Sequence, residues 1–338
     1  MTEQTYRAIE VSSPGHLSLV ERRLVDPGAG QVRIRVEACG VCHTDAWTID
    51  GGVVDIAYPR VPGHEIVGRI DVVGDGVADR RPGQRVGVGF LAGPCGRCEE
   101  CRRGKFPTCR HQQWTGIHHD GGYAESTIAN ASGLIAIPDS LQSAEAAPLL
   151  CAGITVFKAL KKSRAEAGDT VAVHGIGGLG HLAIQFARKM GLRTVAIARG
   201  AGKEALAKSL GAHHYIDSAA TDAAAALQAL GGADVILSTV PDTKAVSPLL
   251  AGLALHGRMV VVGLGPDPIQ VSAFSLVPHD ISVSGSLTGS TIETEDSLGF
   301  SALQDIRARI ETFPLEEARA AYDRMMRNEA QFRVVLTV

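Results

Sequence analysis

One stretch limits the fold more than any other. Thr170-Val-Ala-Val-His174 is a β-branched, apolar run, and residues 179–190 place apolar side chains at helical spacing. Between them stands Gly175-Ile-Gly177-Gly-Leu-Gly180. This is G-x-G-x-x-G between a strand and a helix, the context in which the motif carries meaning. Gly175 permits the sharp turn, Gly177 leaves room for a pyrophosphate, and Gly180 lets helix and strand pack closely. Gly178 and Leu179 complete the loop, and the helix N-terminus stabilises phosphate charge. A parallel βαβ sheet is therefore expected here.

The sequence downstream agrees. Strands are expected at residues 193–198, 215–216, 235–239 and 259–262, with a helix at 203–210 ended by Gly211. Residues 151–285 read as a doubly wound Rossmann unit, so the fold class is α/β. Residues 1–150 have another texture: short apolar runs such as Val32-Arg-Ile-Arg-Val36, punctuated by Gly and Pro. They read as a β-rich domain. Ser143 is expected to cap a helix running to residue 150. The tail, 286–338, is expected to hold one helix (315–327) and a last strand (332–336) that returns to the first domain.

Composition narrows the function classes. The 338 residues carry 33 Lys plus Arg against 36 Asp plus Glu, so no basic excess calls for nucleic acid. No run of 18 apolar residues calls for a membrane span. Residues 1–11 carry Glu3, Arg7 and Glu10 and no apolar signal core, from which a cytoplasmic protein is expected. All seven cysteines fall at or before Cys151. An odd number without an export signal argues against disulfides, and clustering argues for metal.

Cys95, Cys98, Cys101 and Cys109 have C-x2-C-x2-C-x7-C spacing, with Gly96 and Gly104 at the turns. Four thiolates satisfy tetrahedral zinc completely, which makes a closed, structural site. An iron–sulfur cluster is the rival, although the Cys-Pro that ends the bacterial ferredoxin spacing is absent. Three further motifs remain: Gly40-Val-Cys42-His43-Thr44-Asp45, Gly63-His64-Glu65 and Cys151-Ala-Gly153-Ile-Thr155. A catalytic zinc wants three protein ligands and one exchangeable position. Spacing alone does not unite residues 42, 64 and 151.

Together these motifs resemble the zinc-containing alcohol dehydrogenases of the medium-chain dehydrogenase/reductase family. Gly63-His64-Glu65-Ile-Val-Gly68, with Gly74 and Val77, is similar to the zinc signature of that family, and the resemblance runs from about residue 5 to 338. It implies a GroES-like catalytic domain (1–150, joined by 286–338) and a Rossmann coenzyme domain (151–285), two walls of one cleft. It implies two zinc ions per chain, one on Cys42, His64 and Cys151 and one on the four-cysteine lobe. Asp45 would orient His64 and Glu65 would be a further carboxylate behind the ligands. Cys39 is left over: it is read as packed core, with its C-x2-C pairing to Cys42 leaving a swapped ligand role as the alternative.

The resemblance also implies the coenzyme contacts. His43 would lie near the pyrophosphate, Thr155 near the nicotinamide, Gly263 and Leu264 beside the carboxamide, and Ser286 and Leu287 on the nicotinamide-side loop. Arg333 would meet the pyrophosphate, or else be a surface strand residue. An acid normally accepts the adenosine ribose hydroxyls at the end of the second strand. Here Ala198 stands at that place, followed by Arg199. A missing carboxylate and an added guanidinium suit a 2′-phosphate, so NADP(H) is expected to be preferred, with NAD(H) possible.

The implied reaction is reversible hydride transfer between a primary alcohol or aldehyde and NADP(H), with Thr44 carrying the proton. Trp47 departs from the pattern: many relatives place a proton-relaying His there, and indole cannot relay a proton. Trp47 is expected to wall the substrate pocket, with Trp114 either beside it or packed in the lobe. The other readings are a zinc dehydrogenase of polyols or formaldehyde adducts, and a non-catalytic dinucleotide-binding protein. The family resemblance implies a homo-oligomer, tetramer or dimer.

Overall fold

The structure is a computed structural model that describes residues 4–338. Residues 1–3, part of the stretch read for a signal core, lie outside the described residues. Among the described residues no single helix is long and apolar enough to cross a membrane. The chain divides into two compact units, one up to Ile154 together with Thr288–Val338, the other Thr155–Leu287. The divisions fall a few residues later than the sequence suggested. Cys151 therefore belongs wholly to the first unit, while Ser286 and Leu287 belong to the second.

The first unit is built on antiparallel pairing. The long strand Gln31–Val41 is its axis. It pairs with Ile66–Val73 on one side, with Ser126–Asn130 over its first half, and with Arg333–Thr337 over its second. The carboxy-terminal strand thus returns to this sheet, at Val334 opposite Val41. Its other edge takes Ile310–Pro314 in parallel. A separate hairpin, Thr5–Ser13 with His16–Arg23, packs Ala8, Ile9 and Val11 into the same core as Ile34, Ile66, Tyr123 and Leu336.

Two local expectations are corrected in this unit. Ser143 caps nothing: its hydroxyl donates to Glu37, and the chain makes a short helix, Ser143–Ala146, then a 3-10 turn, Ala147–Leu150. Pro148, with no N–H to give, favours that change of pitch. The tail holds a second, longer helix, Thr291–Gln304, whose start is a capping box between Ser290 and Glu293.

The second unit is a six-stranded parallel sheet. Its order is His214–Asp217, Arg193–Ala198, Thr170–His174, Ala233–Ser238, Leu253–Val261 and Ser282–Gly285. This is a doubly wound order with the Gly-rich strand at its centre. Thr170–His174 is buried throughout, as a central parallel strand must be.

Candidate metal centres and dinucleotide site

The four-cysteine lobe folds around its own sulfurs. Cys95 Sγ lies 4.0 Å from Cys101 Sγ, and Cys98 Sγ lies 3.8 Å from Cys109 Sγ. Four sulfurs each about 2.3 Å from a tetrahedral centre stand roughly 3.8 Å apart, so the spacing fits zinc. Backbone N–H groups already point inward: those of Cys95 and His111 donate to Cys109, and that of Cys98 donates to Cys95. Such donation favours the thiolate. It draws Cys98 down to about 6, chiefly through the N–H groups of Cys101 and Arg110. Gly96 and Gly104 both take positive φ, 72° and 74°, to make the turns.

The second centre gathers Cys42, His64, Glu65 and Cys151, whose ligand atoms lie within 4.8 Å of one another. Cys42 opens a 3-10 turn, His43–Asp45. The turn brings Asp45 back so that its carboxylate accepts the Cys42 N–H at 2.9 Å. The other oxygen of Asp45 is 2.9 Å from His64 Nδ1, and both side chains are 2% exposed. A carboxylate can only accept, so Nδ1 carries a proton, and in the neutral ring Nε2 is the nitrogen with the lone pair. Nε2 is buried and without a hydrogen-bond partner. Cys151, at the junction into the helix Ala152–Ser163, brings its Sγ to 3.9 Å from that of Cys42. Two sulfurs at metal-bridging distance and an orphaned imidazole nitrogen are the donor set that zinc fits.

Glu65 is fully buried, and burial pushes its carboxyl up to about 7. It approaches the backbone so closely that a Cβ on Gly40 would sit 1.9 Å from its Oε2, which explains the glycine there. Its partner is Arg333. The surface-strand alternative for Arg333 is overturned, because the side chain is 5% exposed and its charge faces Glu65. Thr44 is half-buried on the same turn as Cys42, and His43 is exposed. Cys39 is fully buried in the core and takes no part in the cluster.

Trp47 and Trp114 come together with ring centroids 6.1 Å apart. A residue the sequence reading missed, Phe90, joins them: it stacks on Trp114 at 5.4 Å and meets the His64 ring edge-on at 5.2 Å. Its only sequence signal is its place after Gly87-Val-Gly89, at the end of the strand Arg85–Val88. Trp114 thus joins an aromatic cluster with Trp47 and Phe90, besides its contact with His118.

In the second unit the Gly-rich turn behaves as its residues require. Gly175 takes φ +92°, and a Cβ on Gly180 would lie 1.8 Å from the Gly175 carbonyl oxygen. Gly177 has nothing within 4 Å of where a Cβ would stand. The helix Gly180–Lys189 follows, with Gly178 and Leu179 leading into it. Arg199, Gly263 with Leu264, and Ser286 with Leu287 each follow the carboxyl end of a parallel strand, the side on which open α/β sheets bind ligands. Thr155 is half-buried at the start of this unit.

Ala198 is buried and Arg199 exposed. A carboxylate does stand nearby, on the neighbouring strand, where Asp217 lies opposite Ala198. One of its oxygens accepts the N–H groups of Gly200 and Ala219. Lys203, also missed in the sequence, donates to the Ile176 carbonyl at 3.0 Å over the Gly-rich turn.

Comparison with known proteins shows the family. Residues 28–139 match the alcohol dehydrogenase GroES-like domain, and residues 178–302 match the zinc-binding dehydrogenase domain. Alcohol dehydrogenase notN of Aspergillus sp. (strain MF297-2) is 40% identical over 99% of this chain and 98% of its own length. A cinnamyl alcohol dehydrogenase of Sorghum bicolor superposes with a TM-score of 0.88 at 32% identity, covering 99% of this chain and 98% of that one. A Helicobacter pylori CAD complexed with NADP(H) superposes with a TM-score of 0.87 at 28% identity, covering 99% of each chain. The chain belongs to the zinc-dependent alcohol dehydrogenases of the medium-chain dehydrogenase/reductase family. Alcohol and aldehyde oxidoreduction with a nicotinamide coenzyme is the activity of that class.

Proposed function

We propose that this protein interconverts primary alcohols and aldehydes of apolar carbon skeleton, with NADP(H) preferred over NAD(H) and two zinc ions per chain. The observation that carries the reading is the buried, unpartnered Nε2 of His64, beside two sulfurs and the ring of Phe90. Cys42, His64 and Cys151 would hold the first zinc, and Cys95, Cys98, Cys101 and Cys109 the second. When bound, zinc supplies Lewis-acid polarisation of the substrate oxygen and the coenzyme supplies or takes the hydride.

The chain's own residues do the rest. Asp45 fixes the imidazole so that only Nε2 is offered. Thr44, whose hydroxyl donates and accepts at once, moves the proton at the substrate oxygen. Trp47, Phe90 and Trp114 exclude water and select apolar groups. Indole cannot relay a proton, so the proton leaves Thr44 by water or a coenzyme hydroxyl rather than through residue 47.

NADP(H) preference rests on Ala198 with exposed Arg199: the strand end carries a guanidinium in place of an acid, and Asp217, opposite Ala198, is engaged by the N–H groups of Gly200 and Ala219. Arg333 and His43 remain the proposed pyrophosphate contacts. For Arg333 this requires that its guanidinium turn from Glu65. Exposed Leu255, Phe274 and Val277 near the last strand of the parallel sheet support a homo-oligomer.

The test is a panel of alcohols and aldehydes read by NADPH and NADH absorbance, with Cys42→Ser as control. Aliphatic and aromatic primary substrates should turn over, and the control should not. A tenfold preference for NADH would overturn the coenzyme reading, and preference for polyols the substrate reading.

A further inference from the structure

The GroES-like unit contains a buried tyrosine for which neither the ligand set nor the coenzyme gives a reason. Tyr123 is fully buried, and its hydroxyl donates to Asp45 Oδ2 at 2.9 Å. The same oxygen accepts the Cys42 N–H at 2.9 Å, while Oδ1 faces His64 Nδ1. Asp45 is itself 3% exposed. A buried carboxylate needs its lone pairs filled, and here three donors from three chain segments fill them.

The approach is built for the ring. The loop carrying Tyr123 hydrogen-bonds along the segment that carries His64: Gly121 N–H to Val61, Gly122 N–H to Gly63, Tyr123 N–H to Pro62. A Cβ on Gly63 would stand 2.4 Å from the Tyr123 ring and 2.8 Å from Cys39 Sγ. The glycine before the zinc-signature histidine is therefore required by the tyrosine behind it. Cys39, unassigned in the sequence, packs at the same place.

We propose that Tyr123 is a positioning residue for the catalytic metal: its hydroxyl locks the Asp45 carboxylate in the plane that holds His64 with Nε2 toward Cys42 and Cys151. Two donors on Oδ2 stop the carboxylate from rotating, and Oδ1 is thereby reserved for His64. The hydroxyl also shares the negative charge of Asp45, which limits how far that charge is passed to the imidazole. Partners of metal-ligating histidines typically set metal affinity by 10- to 100-fold. One bond further out, a smaller effect of about 3- to 10-fold is expected.

The inference rests on Cys42, His64 and Cys151 holding zinc, and that is tested apart. Cys42→Ser should lower the zinc content from two per chain to one. Unchanged content overturns the site reading, whatever Tyr123 does. For Tyr123 itself, zinc-loaded protein is mixed with a chromogenic chelator and the two release phases are timed. Tyr123→Phe keeps the ring and removes only the hydroxyl. It should speed release of the zinc held with Cys42 by about 3- to 10-fold and leave the lobe zinc unchanged. Cys39→Ala disturbs packing against the same ring without touching Asp45, and should leave both phases within twofold. Release from Tyr123→Phe within twofold of wild type overturns the proposal. So does equal acceleration by Cys39→Ala, which would show that packing and not the hydroxyl sets the rate.

Discussion

Arg333 and Glu65, 268 residues apart in sequence, form a buried ion pair beside Cys42 and Cys151 of the candidate metal centre. The pair ties the last strand of the chain to the zinc-signature segment. Removing one partner strands the other charge in the interior, which typically costs about 3–5 kcal/mol. Arg333→Met should therefore lower the unfolding free energy by about that amount. The double variant Glu65→Gln/Arg333→Met should recover most of it, because no charge is left unpaired. Denaturant titration of the wild type, Arg333→Met, Glu65→Gln and the double variant measures the coupling, and independent, additive losses would contradict it.

The cysteine lobe makes a different prediction. A closed four-thiolate site contributes folding energy rather than chemistry. Cys98→Ser should bind one zinc fewer and lose about 3 kcal/mol, about 4 °C in Tm for a chain of this length. Turnover at low temperature should stay within a few-fold of wild type. Metal analysis with calorimetry checks the first part, and a kcat lost in proportion to the zinc would refute the second.

Arg199 predicts coenzyme choice. Its guanidinium is exposed at the end of the strand Arg193–Ala198. A charge-assisted contact to a 2′-phosphate contributes about 1.5–3 kcal/mol. Arg199→Ala should reduce kcat/KM for NADPH by roughly 10- to 100-fold and leave NADH within about threefold. Equal losses for both coenzymes would place Arg199 outside the ribose site.

His174 predicts an acid limit to stability. It is 6% exposed at the end of the central parallel strand, and burial draws its imidazole down to about 4. The unfolded chain takes up that proton near pH 6.5 and the folded chain only near 4, so folding loses stability as pH falls through this window. Between pH 7 and pH 5 the loss from this residue is about 2 kcal/mol. His174→Gln should flatten the pH dependence of the unfolding midpoint by that amount. An unchanged slope would show that the imidazole protonates without unfolding.

Much of the fold was legible because its signals are local. The strand Arg193–Ala198 coincides with its β-branched run, and the turn at Gly175 is dictated by backbone sterics within six residues. The helix Thr291–Gln304 was missed despite its Ser290–Glu293 box, since its apolar residues give only a weak helical stripe. Ser143 misled for the converse reason: a good capping residue found a better partner in Glu37, 106 residues away.

By itself the sequence determined the residue types that can bind zinc and phosphate, the two textures of the chain, and the glycines without which the turns cannot form. Those are properties of single residues and their near neighbours. Only the tertiary structure decided which of these donors meet. It brought Cys42, His64 and Cys151 together, placed Phe90 against the imidazole, turned Arg333 inward to Glu65 and set Tyr123 behind Asp45. Each of these contacts joins segments far apart in the chain, and long-range register is fixed by burying a shared core, which no local spacing encodes.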